Sequence, residues 1–351
     1  MTLQDIVTRH KDSFLEVHGH TLNADQWSAF NAILGCRNGQ YGQIEWACSD
    51  CDQILFTPNS CGHRSCNLCQ GATSIQWLER QQTKLLPVTY FMATFTLPAQ
   101  LRHLARSHPK ILYEVLITSA AQTLQSFSRS DAKLNGDIGF TAVLHTHTRR
   151  LDYHPHVHFI VPGGAINRSR KQWRKTGSYL FNGEALSRVF RGKFLQMLAN
   201  TELTVPNTPK EWVVQCQKVG RGKEALAYLS RYLYRGVISN THILKDDGEQ
   251  VTFRYREGKT NIVKTRTVPA VEFIRLVLQH TLPKGFRRAR DYGYLHGNAR
   301  HLLRVVQWCL RVLTTIPTEQ KPRAVRICRT CRSTMFFVQH HRHRKVTIEP
   351  G

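Results

Sequence analysis

The segment Tyr153-His-Pro-His-Val-His-Phe-Ile-Val161 concentrates more reactive side chains than any other stretch of the chain. In an extended strand alternate side chains share a face, so His156 and His158 project together while Val157 turns the other way, into a core. Two imidazoles on one rigid strand supply two-thirds of a divalent-metal site. A turn centred between residues 150 and 151 sets His145, on the preceding strand, directly across from His156; it is the preferred third ligand, with His147 and His154 as rivals. Three protein ligands leave positions open for a phosphate oxygen and water, the arrangement of a catalytic ion. Taken alone, the segment also fits a hydrogen-bonded histidine cluster lying beside nucleic acid.

A second group is built on sulfur. Cys48-Ser-Asp-Cys51 and Cys66-Asn-Leu-Cys69 are two CxxC knuckles 14 residues apart, a spacing that lets two tight turns share one tetrahedral thiolate site for structural zinc. Cys61 and His63 lie between them and either replace one of the four ligands or bind a second ion. A third pair, Cys328-Arg-Thr-Cys331, precedes His340, His341 and His343; it reads as another zinc knuckle closed by histidines or as part of a solvated basic tail. Met1 to His20 is mixed polar with acids, unlike a signal peptide, so the ten cysteines are read as metal ligands before disulfides.

The third group is Lys223-Glu-Ala-Leu-Ala-Tyr228-Leu-Ser-Arg-Tyr232-Leu-Tyr234-Arg235. On a helix Tyr228 and Tyr232 share a face, Tyr234 falls elsewhere, and Arg231 and Arg235 flank the pair with positive charge suited to DNA phosphates. Such a pair ordinarily packs a core; beside an HxH strand and a surplus of base it reads as a pair of nucleophiles. The nearby Gly220-Arg-Gly222-Lys223-Glu224 suggests a phosphate loop but has Gln217 where glycine is needed and Glu224 where serine or threonine is needed. Strand opening would then fall to a host helicase.

The formal charge is +25, unevenly spread: residues 1 to 80 are net −3 and residues 281 to 351 net +12, in a chain of ordinary 41% hydrophobic content. That field points to a polyanionic partner, nucleic acid first. No run of 18 apolar residues exists, so no membrane partner is expected, and the protein is expected to be soluble and intracellular, in the cytoplasm.

These groups need elements to hold them. Phe14, Val17, Trp27, Phe30, Ile33 and Leu34 recur at helical spacing, with Asn23 and Gln26 as a capping box, and a polar helix spans about 74–86. Strands are predicted over 88–97, 138–147, 156–161 and 212–219, an amphipathic helix over 112–127, and a hairpin over 250–256 and 262–268. The predicted class is α+β: an antiparallel sheet flanked by helices (86–296), preceded by a helical zinc-binding domain (1–85) and followed by a basic helical region (297–351).

Together the motifs resemble the HUH endonucleases, and more closely the two-tyrosine insertion-sequence transposases of the IS91 type. The resemblance rests on the CxxC module, Ala93-Thr-Phe-Thr-Leu-Pro98, Leu144-His-Thr146, His154-Pro-His-Val-His158, Ala227-Tyr-Leu-Ser-Arg-Tyr232, Ile238-Ser-Asn240 and Arg290-Asp-Tyr-Gly-Tyr-Leu295. It implies an HUH-type sheet, metal ligation by His156 and His158, and nucleophilic attack by Tyr228 and Tyr232. It further implies Mg or Mn as catalytic metal and single-stranded DNA at element termini and target as substrate. Cleavage would leave a 5′-phosphotyrosine in rolling-circle transposition. A replication initiator or relaxase of the same chemistry is the nearest alternative; a non-catalytic zinc-dependent DNA-binding regulator is another.

Overall fold

The computed structural model describes residues 1–69, 71–177, 179–222, 224, 226, 237–258, 260–312 and 325–342. In chain order these form α1 (Leu3–Arg9), α2 (Lys11–His18), α3 (Ala24–Gly35), β1 (Gln43–Cys48), β2 (Ile54–Pro58), α4 (Gly71–Gln82) and β3 (Thr89–Thr96). There follow α5 (Arg102–Ser107), α6 (Pro109–Ser130), β4 (Phe140–His147), β5 (Tyr153–Pro162), β6 (Gly164–Asn167), β7 (Gln172–Lys175), α7 (Gly183–Ala199) and β8 (Val214–Arg221). The remainder comprises β9 (Ile243–Asp246), β10 (Gln250–Arg256), β11 (Val263–Pro269), α8 (Ala270–Leu278), β12 (Ala289–Tyr292), α9 (Arg300–Cys309), β13 (Arg326–Ile327) and β14 (Thr334–His341).

The chain forms two compact units, each discontinuous in sequence. One takes Met1–Ala72, Arg235–Thr281 and Ile316–Gly351, the other Thr73–Tyr234 and Leu282–Thr315, over their described residues. Three consecutive regions were expected, because local periodicity carries no record of which distant strands pair. In the first unit the capping box at Asn23 and Gln26 forms as expected and a second one, at Thr2 and Asp5, opens α1. Phe14, Phe30 and Ile33 are buried, whereas Val17 is 52% exposed. Long-range polar bonds then recruit the later segments. The buried Asp246 carboxylate on β9 accepts from Arg9 Nη1 at 2.8 Å and His10 Nε2 at 3.0 Å. Asn240 Oδ1 accepts from the Leu3 N–H at 3.0 Å and from Asn67 Nδ2 at 2.6 Å, inside the second knuckle. The block Ile238-Ser-Asn240 is therefore a fixture of the cysteine module.

The C-terminal region departs from expectation: after α9 its described residues make a hairpin, β13 and β14, and not helix or tail. Thr334-Met-Phe-Phe-Val-Gln is rich in strand-forming side chains, and β14 pairs antiparallel with β1 from Gln43↔His341 to Cys48↔Met335, giving a sheet of order β13-β14-β1-β2.

The second unit is built on a five-stranded antiparallel sheet of order β12-β4-β5-β3-β8, the α+β arrangement expected. Its one face is sealed by α6 and α7: Phe95 meets Phe159 and Phe190 edge-on at 5.5 and 5.0 Å, and Phe91, Ala142, Leu144 and Val157 are buried among them. Its opposite face carries Tyr90, Val143 and Ile160, covered by Trp77 of α4, Tyr294 and Val306 of α9. Strand β8 runs past its expected end at residue 219 through a bulge, where the register slips between Thr89 and Phe91 and Gly220 takes φ +88°. Gly293, at φ +60°, lets the chain pass so close to β4's approach that a Cβ there would lie 1.8 Å from the Ile138 carbonyl oxygen. Just before it, Asp291 accepts from Thr141 Oγ1 at 2.6 Å, Lys84 Nζ at 2.5 Å and Gln81 Nε2 at 3.0 Å. The block 290–295 thus locks edge strand β12 and α4 onto the sheet.

Candidate catalytic metal centre and cysteine clusters

The central strand of that sheet is β5, clamped on both sides by ladders, and it carries His156 and His158 on the face opposite the aromatic core. Register on the β4 side is as the turn argument requires: His145 pairs with His156. Beyond that pair the ladder slips by one, His147 facing Tyr153, with Leu151 in the left-handed region at φ +69°. The slip displaces His147 from the cluster. His145, His156 and His158 have ligand nitrogens within 4.8 Å of one another, with ring centroids 4.6 to 5.3 Å apart. His154 does not join them; its Nδ1 accepts from Arg102 Nη2 at 2.8 Å.

Neighbouring groups fix how these rings point. His156 donates from Nδ1 to the His154 carbonyl oxygen at 2.7 Å, which leaves Nε2 to carry the lone pair. His158 Nδ1 lies 2.8 Å from Thr94 Oγ1, across the β3–β5 ladder where Thr94 and His158 are register partners. Thr94 was missed as a site residue. Its signal was present in the alternation Thr94-Phe-Thr96, since every second residue of a strand beside the HxH segment must share the histidines' face. Arg288 was also missed. Its Nε donates to the Leu144 carbonyl at 3.0 Å, and its charge bears on both His145 and His156. Nothing local marks it among the other arginines of 287–290.

His145 and His158 are buried and His156 is half-buried, so the cluster opens to solvent on one side. Burial, then the neighbouring rings and Arg288, hold His145 well below the usual imidazole range. Burial brings His156 down to about 4 and, with the adjacent His156, brings His158 down to about 3. Near neutral pH all three rings are therefore uncharged and able to ligate a metal. A folded-state value below the unfolded one means the unfolded chain takes up protons first. We expect these histidines, free of metal, to contribute their full stabilisation above about pH 6.5 and to lose that contribution as pH falls toward about 4, His156 alone accounting for roughly 3 kcal/mol. Denaturant titrations at several pH values, compared with His156→Phe, check this; an equal slope in both proteins would contradict it.

The cysteines group differently from the expectation. Cys48 and Cys51 do not share a site with Cys66 and Cys69: one set is Cys36, Cys61, Cys66 and Cys69, the other Cys48, Cys51, Cys328 and Cys331. The cause is tertiary. The β1–β14 ladder carries the knuckle at 48–51 to the C-terminal hairpin, while the 61–69 loop folds back on the end of α3, where Cys36 caps the helix. In the first set Cys69 Sγ lies 3.4 Å from both Cys36 and Cys61. Hydrogen bonding from Cys61 holds the Cys66 thiol down at about 5. His63 stands outside the set, its Nδ1 accepting from the Ser65 N–H at 3.1 Å. His340 and His341 do not close the second set: His340 Nε2 is 2.6 Å from Asn59 Nδ2, and His341 Nε2 is 2.6 Å from Glu45. Tyr228, Arg231, Tyr232, Tyr234, Arg235 and His343 lie outside the described residues.

Comparison with known proteins now gives the class. Residues 139–301 match the family model described as "Putative transposase", and residues 6–97 match a transposase zinc-binding domain. The chain is 34% identical over 324 residues to "Putative transposase y4qJ" of Sinorhizobium fredii, covering 84% of this chain and 80% of that protein. It is 24% identical over 313 residues to the transposase for insertion sequence element IS801 of Pseudomonas savastanoi pv. phaseolicola, covering 82% and 74% respectively. The chain belongs to the insertion-sequence transposases of the IS91 type, and it carries their zinc-binding domain. Among solved structures, the conjugative relaxase TrwC in complex with oriT DNA aligns over 64% of this chain and 73% of its own at 13% identity, with a TM-score of 0.27. Among the described residues no helix is long and apolar enough to cross a membrane.

Proposed function

We propose that the protein nicks and rejoins single-stranded DNA at the ends of its insertion sequence, in rolling-circle transposition, through a tyrosine–DNA ester. The observation that carries this reading is the convergence of three imidazoles, two from the central strand β5 and His145 from the adjacent β4, in a transposase domain. The donor set fits a divalent ion: three nitrogens with their rings oriented by the His154 carbonyl and Thr94, and one open side at His156. Such an ion, held by His145, His156 and His158, would polarise and orient the scissile phosphate.

The chain's own residues do the rest. A phenol of pKa about 10 is a weak nucleophile near pH 7, so attack requires removal of its proton to a base or solvent. The Oη–P bond forms as the P–O3′ bond breaks, the 3′ oxygen takes up a proton, and the 5′ phosphate stays esterified to tyrosine. Attack by a 3′-hydroxyl reverses the step, and because the ester conserves the linkage energy no nucleotide hydrolysis is needed. Tyr228 and Tyr232 are the nucleophiles in this scheme, with Arg231 and Arg235 at the phosphates. Support comes from Leu226, two residues earlier: it is buried with Val143 and Ile160, on the same sheet face as the histidines. Two nucleophiles would let donor and target strands be opened in succession before either ester is resolved.

All-nitrogen ligation favours Mn over Mg, which prefers oxygen donors. With a single-stranded oligonucleotide of the element's end, Mn is expected to support faster cleavage than Mg at equal concentration, with duplex DNA uncut. The cleaved end should pass to a second, target oligonucleotide, which separates a transposase from an initiator or relaxase confined to its own origin. No cleavage with any divalent metal would favour a non-catalytic DNA-binding regulator.

A further inference from the structure

We propose that Cys48, Cys51, Cys328 and Cys331 hold a structural zinc ion of their own, separate from one held by Cys36, Cys61, Cys66 and Cys69, and that this second ion fastens the C-terminal hairpin to the N-terminal module. The zinc-binding-domain match ends at residue 97 and so contains only half of this second set. The inference is independent of the nicking chemistry.

Geometry is the first argument. Four sulfurs 2.3 Å from a central zinc stand about 3.8 Å apart along the edges of their tetrahedron. Here Cys48 Sγ is 3.3 Å from Cys331 Sγ, Cys51 Sγ is 3.8 Å from Cys328 Sγ, and Cys331 Sγ is 3.5 Å from Cys51 Sγ. Both CxxC pairs occupy the tight turn of a hairpin. Cys48 ends β1 with its N–H donating to the Gln53 carbonyl at 3.0 Å, and the Cys328 N–H donates to the Ser333 carbonyl at 2.8 Å. The two turns are bolted face to face: Ser49 donates through both N–H and Oγ to the Thr334 carbonyl, and Ser333 Oγ donates to Asp50 at 2.5 Å. These bonds hold four thiols converged from positions 277 to 283 residues apart in sequence.

The second argument is what else holds the hairpin. Strand β14 pairs with β1 along its length, yet of its eight residues only Met335 is buried. Phe336 and Phe337 are 52% and 56% exposed, and among the described residues the apolar cluster beneath consists of Cys48, Cys328 and Met335, flanked by Trp46, Cys51 and Leu55. So small a core does not stabilise a four-stranded sheet by itself, and small domains of this kind rely on a metal or a covalent staple. A four-thiolate ion at the junction of the two turns supplies it and leaves no open coordination position, as a structural site requires.

The test is zinc content per full-length chain, measured by atomic emission, together with thiol accessibility. Cys328→Ser with Cys331→Ser should lose one zinc relative to wild type, Cys36→Ser with Cys69→Ser should lose a different one, and the combined variant two. Because a variant could fail to fold, the second measurement uses the wild type. Iodoacetamide labelling read by mass spectrometry should find Cys328 and Cys331 protected until a chelator is added. Cys216 and Cys309, outside both sets, should be indifferent to the chelator. Unchanged zinc in the Cys328→Ser, Cys331→Ser variant, or labelling of Cys328 and Cys331 at one rate with and without chelator, would overturn the proposal.

Discussion

His158→Ala is expected to lower the rate of single-strand cleavage by about a thousandfold or more, since a metal's charge stabilisation is worth several kcal/mol and each 1.36 kcal/mol is tenfold in rate. His158 is firmly built in: buried, register-paired with Thr94, and bonded to it at 2.8 Å. Its loss would leave only two of the three proposed metal ligands. Affinity for single-stranded DNA should survive, because such affinity is expected to come chiefly from Lys and Arg contacts to phosphate and so to fall with salt rather than with loss of a histidine. His154→Ala is the control. The ring of His154 faces Arg102, while the group that orients His156 is the His154 backbone carbonyl, which the substitution keeps. That variant should retain most of its activity. Single-turnover cleavage with Mn, alongside salt-dependent DNA binding, checks both; a wild-type rate in His158→Ala would make the histidine cluster structural.

How much of this was legible beforehand follows the range of the interactions concerned. The pairing of His145 with His156 was readable because a short turn fixes register and strand periodicity fixes the face. The one-residue slip that excludes His147 was not, because it depends on Leu151 adopting a positive φ that no residue type there announces. The CxxC knuckles are recognisable as ligand pairs, but which pair meets which is decided by the β1–β14 ladder and by the return of the 61–69 loop to α3, which place the two knuckles in different cysteine clusters. Cys36, alone at the end of a helix, has no local partner to mark it. Arg288 is likewise invisible until β12 is seen to pair with β4. The basic charge of the last fifty residues suggested a solvated region, and concealed a strand whose residues Thr334 to Val338 are ordinary β-formers.

The central claim, that Tyr228 and Tyr232 act as nucleophiles, is tested most directly by trapping the ester. Leu226, two residues before Tyr228, is buried on the histidines' side of the sheet, and a helix continuing through this segment would put Tyr228 and Tyr232, four residues apart, on one face and Tyr234 off it. Wild-type protein is incubated with end-labelled single-stranded DNA from the element's terminus and Mn, then run on a denaturing gel. Wild type and Tyr234→Phe should each give a band of protein covalently joined to DNA, each single Tyr228→Phe or Tyr232→Phe variant a reduced one, and the Tyr228→Phe, Tyr232→Phe double variant none. A protein–DNA adduct that survives in the double variant would place the nucleophile elsewhere and contradict the mechanism.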